Sequence, residues 1–313
     1  MGVLGEPQPC AINCTDSVPE TLAGYVRDSL APNTRRAYLS DLAHFESWGG
    51  RVPATPEATA SYLAAHAETL SMATLARRLA SLAKAHRARG IASPTGSELV
   101  RAVLRGIKRR NGSAQKEAKP LLRDDLFAVL DVMGDGLKDA RDKALLLLGF
   151  AGGFRRSELV GINRQDVESV RQGIIIHLRR SKTDQDGAGR KIGIPHGRTR
   201  WCPVAVLDEW LAKSGIAEGP VFRPIDRHDR ISAERLSGEA VSLVVKERVK
   251  AARIDPSGYS GHSLRAGLAT SAAQAGVPSW KIRQQTGHAS DAMLSRYIRD
   301  GKLFTSNAAG ALL

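Results

Sequence analysis

The ten residues Asn111 to Pro120, NGSAQKEAKP, contain no apolar side chain larger than alanine. A stretch of that length with nothing to bury cannot run through a hydrophobic core, so it divides the chain into units that each close a core of their own. We read residues 18–110 as a first domain, 111–120 as an exposed linker and 121–313 as a second domain. Residues 1–17, with Pro7, Pro9 and scattered polar positions, show no periodicity and read as a loose leader. A chain of 313 residues leaves both domains long enough to bury a core.

The first domain reads as helical throughout. Tyr38, Leu42 and Phe45 fall at i, i+4 and i+7 on one face of a segment from Thr34 to Trp48 that Gly49 and Gly50 terminate. Thr55 before Pro56 is a cap followed by a first-turn proline, predicting a helix to about Glu68. Ser71 opens another to Gly90, and a fourth runs from Ser97 to Arg110. The second domain opens with helical periodicity over Asp124 to Met133, and the apolar Ala144 to Phe150 reads as a buried core helix. Gly173 to Leu178 (GIIIHL) and Lys191 to Pro195 (KIGIP) are short apolar runs flanking a polar, glycine-containing segment, which predicts a β-hairpin with Lys182 beside its turn. Helical patterns then return at Val204 to Lys213, Gly238 to Ala252, Ser263 to Ala275, Ser279 to Thr286 and Asp291 to Asp300. The fold class is mainly α, with a small β-sheet or hairpin in the C-terminal domain.

Charge narrows the partner. Lys and Arg number 46 against 32 Asp and Glu, a net charge of +14 that favours a polyanion, nucleic acid above all. Two predicted helices end in basic clusters, Lys84, His86, Arg87 and Arg89 in one, Arg105, Lys108, Arg109 and Arg110 in the other. Cations suit helix C-termini in any case, because they face the negative end of the helix dipole. With the global charge, Lys84, Arg87, Arg105, Lys108 and Arg109, together with Arg35, Arg36 and Arg77, are candidates for DNA backbone contact. No run approaches 18 apolar residues and no signal sequence is evident, so we expect no membrane partner and a cytoplasmic, nucleoid-associated protein. Cys10, Cys14 and Cys202 form neither an even set nor a CxxC pair, which speaks against a disulfide framework or a zinc site. Asp131 to Asp142 has the glycine of a calcium loop but Met133 where an oxygen ligand belongs, so neither metal nor cofactor is expected.

In-line cleavage of a phosphodiester needs a nucleophile, cations for the non-bridging oxygens and an acid for the leaving alkoxide. The second domain carries four short groups with these residue types. GGFRRSEL, Gly152 to Leu159, places an arginine at a helix start, where its planar fork could take a phosphate bidentately. RRSKTD, Arg179 to Asp184, places Lys182 beside the hairpin turn, and GHSLRAG, Gly261 to Gly267, puts His262 and Arg265 three apart on one helix face. TGHASDAMLSRY, Thr286 to Tyr297, sets His288 nine residues before Tyr297. Each alone is an ordinary surface or core pattern.

In combination and order, these groups resemble the tyrosine recombinase, or phage integrase, family over most of the chain. Arg155 with Ser157, Glu158 and Leu159, then Lys182, the His262/Arg265 pair, His288 after Gly287, and Tyr297 match the family's motifs in sequence. The resemblance implies a helical SAM-like core-binding domain, which PNTRRAYLSDLAHF resembles at its first helix, closing over DNA opposite a catalytic domain. It implies that Tyr297 is a nucleophile forming a 3′-phosphotyrosyl bond, that Arg155 and Arg265 clamp the scissile phosphate, that His288 stabilises the transition state and that Lys182 protonates the leaving 5′ oxygen. His262 would act as acid/base or phosphate contact, and Glu158 would hold Arg155 or its neighbours. The implied partners are a double-stranded target site, further copies of the chain as a dimer on a site and a tetramer in synapsis, and accessory DNA-bending proteins, in the setting of a mobile element. The terminal Leu303 to Leu313 would dock on a neighbouring protomer. Ala266 stands where many members carry histidine, and GGFRR leaves Arg156 beside Arg155 as an alternative, the spacing to Ser157 and Glu158 favouring Arg155. The alternatives are a type IB topoisomerase-like enzyme, or a DNA-binding relative that has lost the chemistry.

Charge-driven binding to DNA has a direct signature. Affinity for duplex DNA is expected to fall steeply with salt, log K dropping by about 0.9 per phosphate neutralised for each decade of salt. An affinity that stays flat between low and moderate ionic strength in a filter-binding titration would contradict it.

Overall fold

The computed structural model of the protein describes residues 24–25, 29–112, 118–179, 189–288, 290, 294–295 and 297. The leader 1–17, Lys182, the tail 303–313 and most of the expected helix 291–300 lie outside the described residues. The chain separates into two compact units, Met1–Gln115 and Lys116–Leu313.

The first unit contains α1 (Pro32–Ser47), α2 (Pro56–Ala65), α3 (Met72–Ala88) and α4 (Glu98–Asn111). Three of these helices begin where a hydroxyl can satisfy a free N–H. Thr55 accepts from Ala58 N at 3.2 Å, Ser71 from Thr74 N at 3.2 Å and Ser97 from Val100 N at 3.3 Å. Leu63, Leu75, Leu79, Val100 and Ile107 close one apolar cluster, and Phe45, Tyr62 and Leu82 another. Asp41 is buried between them and accepts two hydrogen bonds from Arg77, at 3.0 and 2.8 Å, and one from Ser81 at 2.8 Å. These hydrogen bonds tie α1 to α3.

The second unit is built around α6 (Leu137–Gly152), preceded by α5 (Arg123–Asp131) and followed by α7 (Arg156–Gly161). Strands β1 (Val167–Val170), β2 (Gly173–Leu178) and β3 (Arg190–Pro195) form an antiparallel sheet in that order, pairing Val167 with Ile176 and Ile176 with Ile192. Two strands coincide with the expected hairpin; β1, VESV, is too short and polar to announce itself by alternation. Helices α8 (Pro203–Ser214), α9 (Gly238–Ala251), α10 (His262–Gln274) and α11 (Ser279–Thr286) complete the described unit. Leu145 to Leu148 of α6 are buried all round the helix, as a central helix must be, and so is Asp142 one turn earlier. Asp142 accepts from Arg141 at 2.9 and 2.7 Å and from Arg248 of α9 at 2.8 and 2.6 Å, so the charge is offset from two elements. No helix among the described residues is long and apolar enough to cross a membrane.

Helix α10, which carries two of the candidate residues, is fixed by backbone contact. Leu121 N donates to Ser263 O at 3.0 Å, and a Cβ at Gly267 would lie 1.8 Å from the Leu121 carbonyl oxygen. No side chain fits there without moving α10 off the entry segment. Gly267→Ala is accordingly expected to lower stability by about 1–3 kcal/mol, as overpacked cores do, read as a lower denaturation midpoint. A variant as stable as the parent would show that α10 does not depend on this approach.

Candidate active site

The corner between α6 and α7 sets the first residue of the site. Gly153 takes the left-handed conformation, φ 58°, and a Cβ there would come within 2.9 Å of Leu268 and Thr286 side chains. The tight turn sends Phe154 into the core and leaves Arg155 at the N-terminus of α7. Glu158, buried one turn on, fixes both ends of that arginine. Its Oε2 accepts from the Arg155 backbone N–H at 2.9 Å and its Oε1 from Nη1 at 2.5 Å, while Arg155 Nη2 donates to Gly287 O at 3.2 Å. Arg156 runs instead to α9, donating to Ser242 Oγ at 3.1 Å and to Glu239 at 3.4 Å. Of the two adjacent arginines, it is Arg155 that Glu158 binds.

Arg265 of α10 is 1% exposed. Its Nη1 donates to Gly153 O at 2.7 Å and also to Thr286 O, so one guanidinium joins the α6–α7 corner to the end of α11. Burial and then the neighbouring Arg155 pull its pKa down to about 10, which still leaves it charged at neutral pH. One turn before it, His262 Nε2 lies 2.8 Å from the Tyr297 hydroxyl. Desolvation of the ring, followed by Arg265, Arg156 and Arg155, holds His262 below the ordinary imidazole value. A neutral imidazole can accept the phenol proton, which is the geometry of a general base.

His288 is buried beside the same cations. Burial first, and then Arg265 and Arg155, push its pKa down to about 3. The Thr286 hydroxyl donates to Ile282 O at 2.7 Å, and its oxygen lies 2.7 Å from His288 Nδ1. One hydroxyl proton cannot serve both contacts, so Nδ1 carries the ring's proton and Nε2 is bare. His288 and Tyr297 rings stand 5.8 Å apart, closing the circle from Arg155 through Arg265 to the phenol.

The structure thus gathers Arg155, Glu158, His262, Arg265, His288 and Tyr297 in one place. It also brings in Arg190, which the sequence reading passed over. Arg190 opens β3, with Nη2 3.7 Å from Glu158 Oε2 and Nη1 donating to Gln285 O at 3.4 Å. The signal lay in the strand's alternation, which puts Arg190 on the face of the buried Ile192 and Ile194. Of the candidate DNA contacts on the first unit, Lys84, Arg87, Lys108 and Arg109 are exposed. Arg36 donates to Asn33, Arg77 is held bidentately by Asp41 and Arg105 pairs with Glu98 at 2.5 Å, while Arg35 is partly buried. His86 of the basic cluster is buried and structural, its Nε2 accepting from Ala54 N at 2.9 Å. Along Asp131 to Asp142 the carboxylates meet cations: Asp131 meets Arg200, Asp135 Lys143 and Asp139 Arg248.

Comparison with known proteins shows the family and the fold. Residues 119–302 match the profile of the phage integrase family. The integrase/recombinase xerD homolog of Selenomonas ruminantium is 39% identical over 290 residues, covering 90% of this chain and 85% of the relative. The recombinase cre of Escherichia phage P1 is 29% identical over 314 residues, covering 91% and 90%. The chain belongs to the phage integrase family of tyrosine recombinases. Among solved structures the fold is similar to that of lambda integrase residues 75–356, a dimer bound to a COC′ core site, with a TM-score of 0.62 at 20% identity over 89% of this chain and 92% of that one. It is also similar to the Tn1549 transposon integrase in complex with transposon right end DNA, with a TM-score of 0.61 at 17% identity over 93% and 95%.

The state of His288 predicts a pH dependence of stability. Its folded-state pKa, about 3, lies below the unfolded value of about 6.5. Between the two the unfolded chain binds more protons, so stability is highest above the upper value and falls as pH drops through the window. His288→Gln is expected to flatten the decline of the denaturation midpoint between pH 6.5 and 4. An unchanged slope would place the ring in a state other than buried and neutral.

Proposed function

We propose that the protein is a site-specific DNA recombinase that cleaves and rejoins duplex DNA through a covalent 3′-phosphotyrosine on Tyr297. The observation that supports this most is the 2.8 Å contact between the Tyr297 hydroxyl and the neutral His262, beside two arginines that are themselves rigidly held. In this reading the scissile phosphate lies against Arg155 and Arg265, whose charges offset its non-bridging oxygens. Tyr297 gives its proton to His262 as its oxygen attacks phosphorus. The bond to the 5′ oxygen breaks as the bond to tyrosine forms, and Lys182 supplies the proton to the leaving oxygen. His288, bare at Nε2 while the site is empty, gains a proton as the phosphate's negative charge offsets the arginines, and then donates to a non-bridging oxygen. A phenol with a pKa of about 10 leaves more readily than a sugar alkoxide, so the 5′ hydroxyl of the same or another strand can reverse the step without an energy source.

The first unit would hold the duplex through Arg35, Arg36, Arg77, Lys84, Arg87, Arg105, Lys108 and Arg109. Lambda integrase has been seen as a tetramer bound to a Holliday junction, and by that likeness this chain would act as a dimer on each site and a tetramer in synapsis. Its place would be the cytoplasm, with the nucleoid.

The protein, Tyr297→Phe and His262→Gln should be incubated with nicked DNA from the flanks of the gene or its host element and resolved on a denaturing gel. A covalent adduct is expected from the parent and not from Tyr297→Phe, at equal DNA affinity. His262→Gln is expected to form it about 10²–10⁴ times more slowly. Tight binding with no adduct on any flank would identify a catalytically silent relative instead.

A further inference from the structure

Arg190 is the one member of the cluster that the reading above leaves without a part. Its guanidinium is wedged in a space that other residues are shaped to leave open. Gly287 takes φ 66°, and a Cβ there would lie 2.0 Å from Arg190 Nη1 and 2.6 Å from Cζ. Behind it, Nε and Nη2 are buried and make no hydrogen bond, and Nη2 has only the 3.7 Å ion pair with Glu158 Oε2. Glu158 Oε1 is taken by Arg155. One buried carboxylate therefore stands between two guanidiniums, with a third, Arg265, close enough that Arg190 acts on it and on His288.

For the fold alone this is a poor arrangement. Burying a charge with donors unsatisfied is unfavourable, and an apolar side chain on the inward face of β3 would continue the row of Ile192 and Ile194. It becomes favourable when an anion enters. Arg155, Arg190 and Arg265 against Glu158 leave two positive charges unbalanced among the described residues of the cluster. A phosphodiester brings one negative charge, and the pentavalent phosphorane formed when the deprotonated tyrosine oxygen attacks carries two. The demand for cationic charge thus rises from ground state to transition state, the change that a preorganised guanidinium lowers.

We propose that Arg190 is a positioning residue of the strand-transfer reaction, which ion-pairs Glu158 opposite Arg155 and supplies a third guanidinium charge to the transition state at the scissile phosphate. It acts through Glu158 and through its field, since its buried nitrogens do not face substrate. The inference rests on the reading of the site given above.

The test compares parent, Arg190→Gln and Arg190→Lys on nicked duplexes carrying either an ordinary scissile phosphate or a neutral methylphosphonate there. Arg190→Gln is expected to slow adduct formation on the phosphate by about 10²–10³-fold, with DNA affinity nearly unchanged. On the methylphosphonate, which lacks one negative charge, the loss should shrink to less than about tenfold. Arg190→Lys keeps the charge and should stay within about tenfold of the parent on both. Equal losses for Arg190→Gln on the two substrates, or a folded Arg190→Lys as slow as Arg190→Gln, would overturn the proposal while the parent's adduct stood. If Arg190→Gln does not fold, the lysine variant decides alone: a loss well beyond tenfold overturns the proposal and a smaller one upholds it. No adduct from the parent would overturn the reading of the site itself.

Discussion

The second unit is organised around a guanidinium that solvent does not reach. Arg265 lies in the first turn of α10, and its hydrogen bonds go to the carbonyls of Gly153 and Thr286, in segments more than a hundred residues apart in the chain. Those segments carry Arg155 and His288, each two residues further on. An interior arginine must have its donors satisfied, and satisfying this one with backbone carbonyls fixes the separation of the two side chains beside it. The left-handed Gly153 and the close approach of Gly267 to Leu121 are the steric terms that allow the bond. The site is in this sense a junction of backbones first and a set of side chains second.

The same cations explain why two histidines at this junction stay neutral. Imidazoles close to arginines and partly stripped of water resist protonation, which leaves His262 able to accept a proton from the Tyr297 hydroxyl it contacts. In the proposed reaction an incoming phosphate would offset part of that positive field. Charge that suppresses protonation here would be offset by that anion, which would couple binding to proton transfer through electrostatics.

Much of this was legible in the sequence because its signals were redundant. The helices of the first unit announce themselves through hydroxyl caps at Thr55, Ser71 and Ser97 as well as through periodicity, and the side chains of the cluster recur in an ordered set whose spacing no single motif would carry. What was not legible depended on contacts distant in sequence. The alternation of RKIGIP puts Arg190 on the inward face of β3, but that it meets the Glu158 carboxylate beside the side-chain-free Gly287 could not be read from the strand. Strand β1 forms because β2 offers it an edge, and VESV has no alternation strong enough to show that beforehand. The fate of Arg156 depends on Ser242 and Glu239, some eighty residues away in the chain.

Arg190 and Gly287 also bear on how such a chain can change over time. The volume that a side chain at 287 would need is the volume the guanidinium of 190 fills. A larger residue at 287 requires the guanidinium of 190 to shift or a shorter residue to take its place, and either change moves a cation away from Glu158. Two positions nearly a hundred residues apart are therefore coupled in one direction, and their joint history in a set of relatives would record whether the third charge was kept.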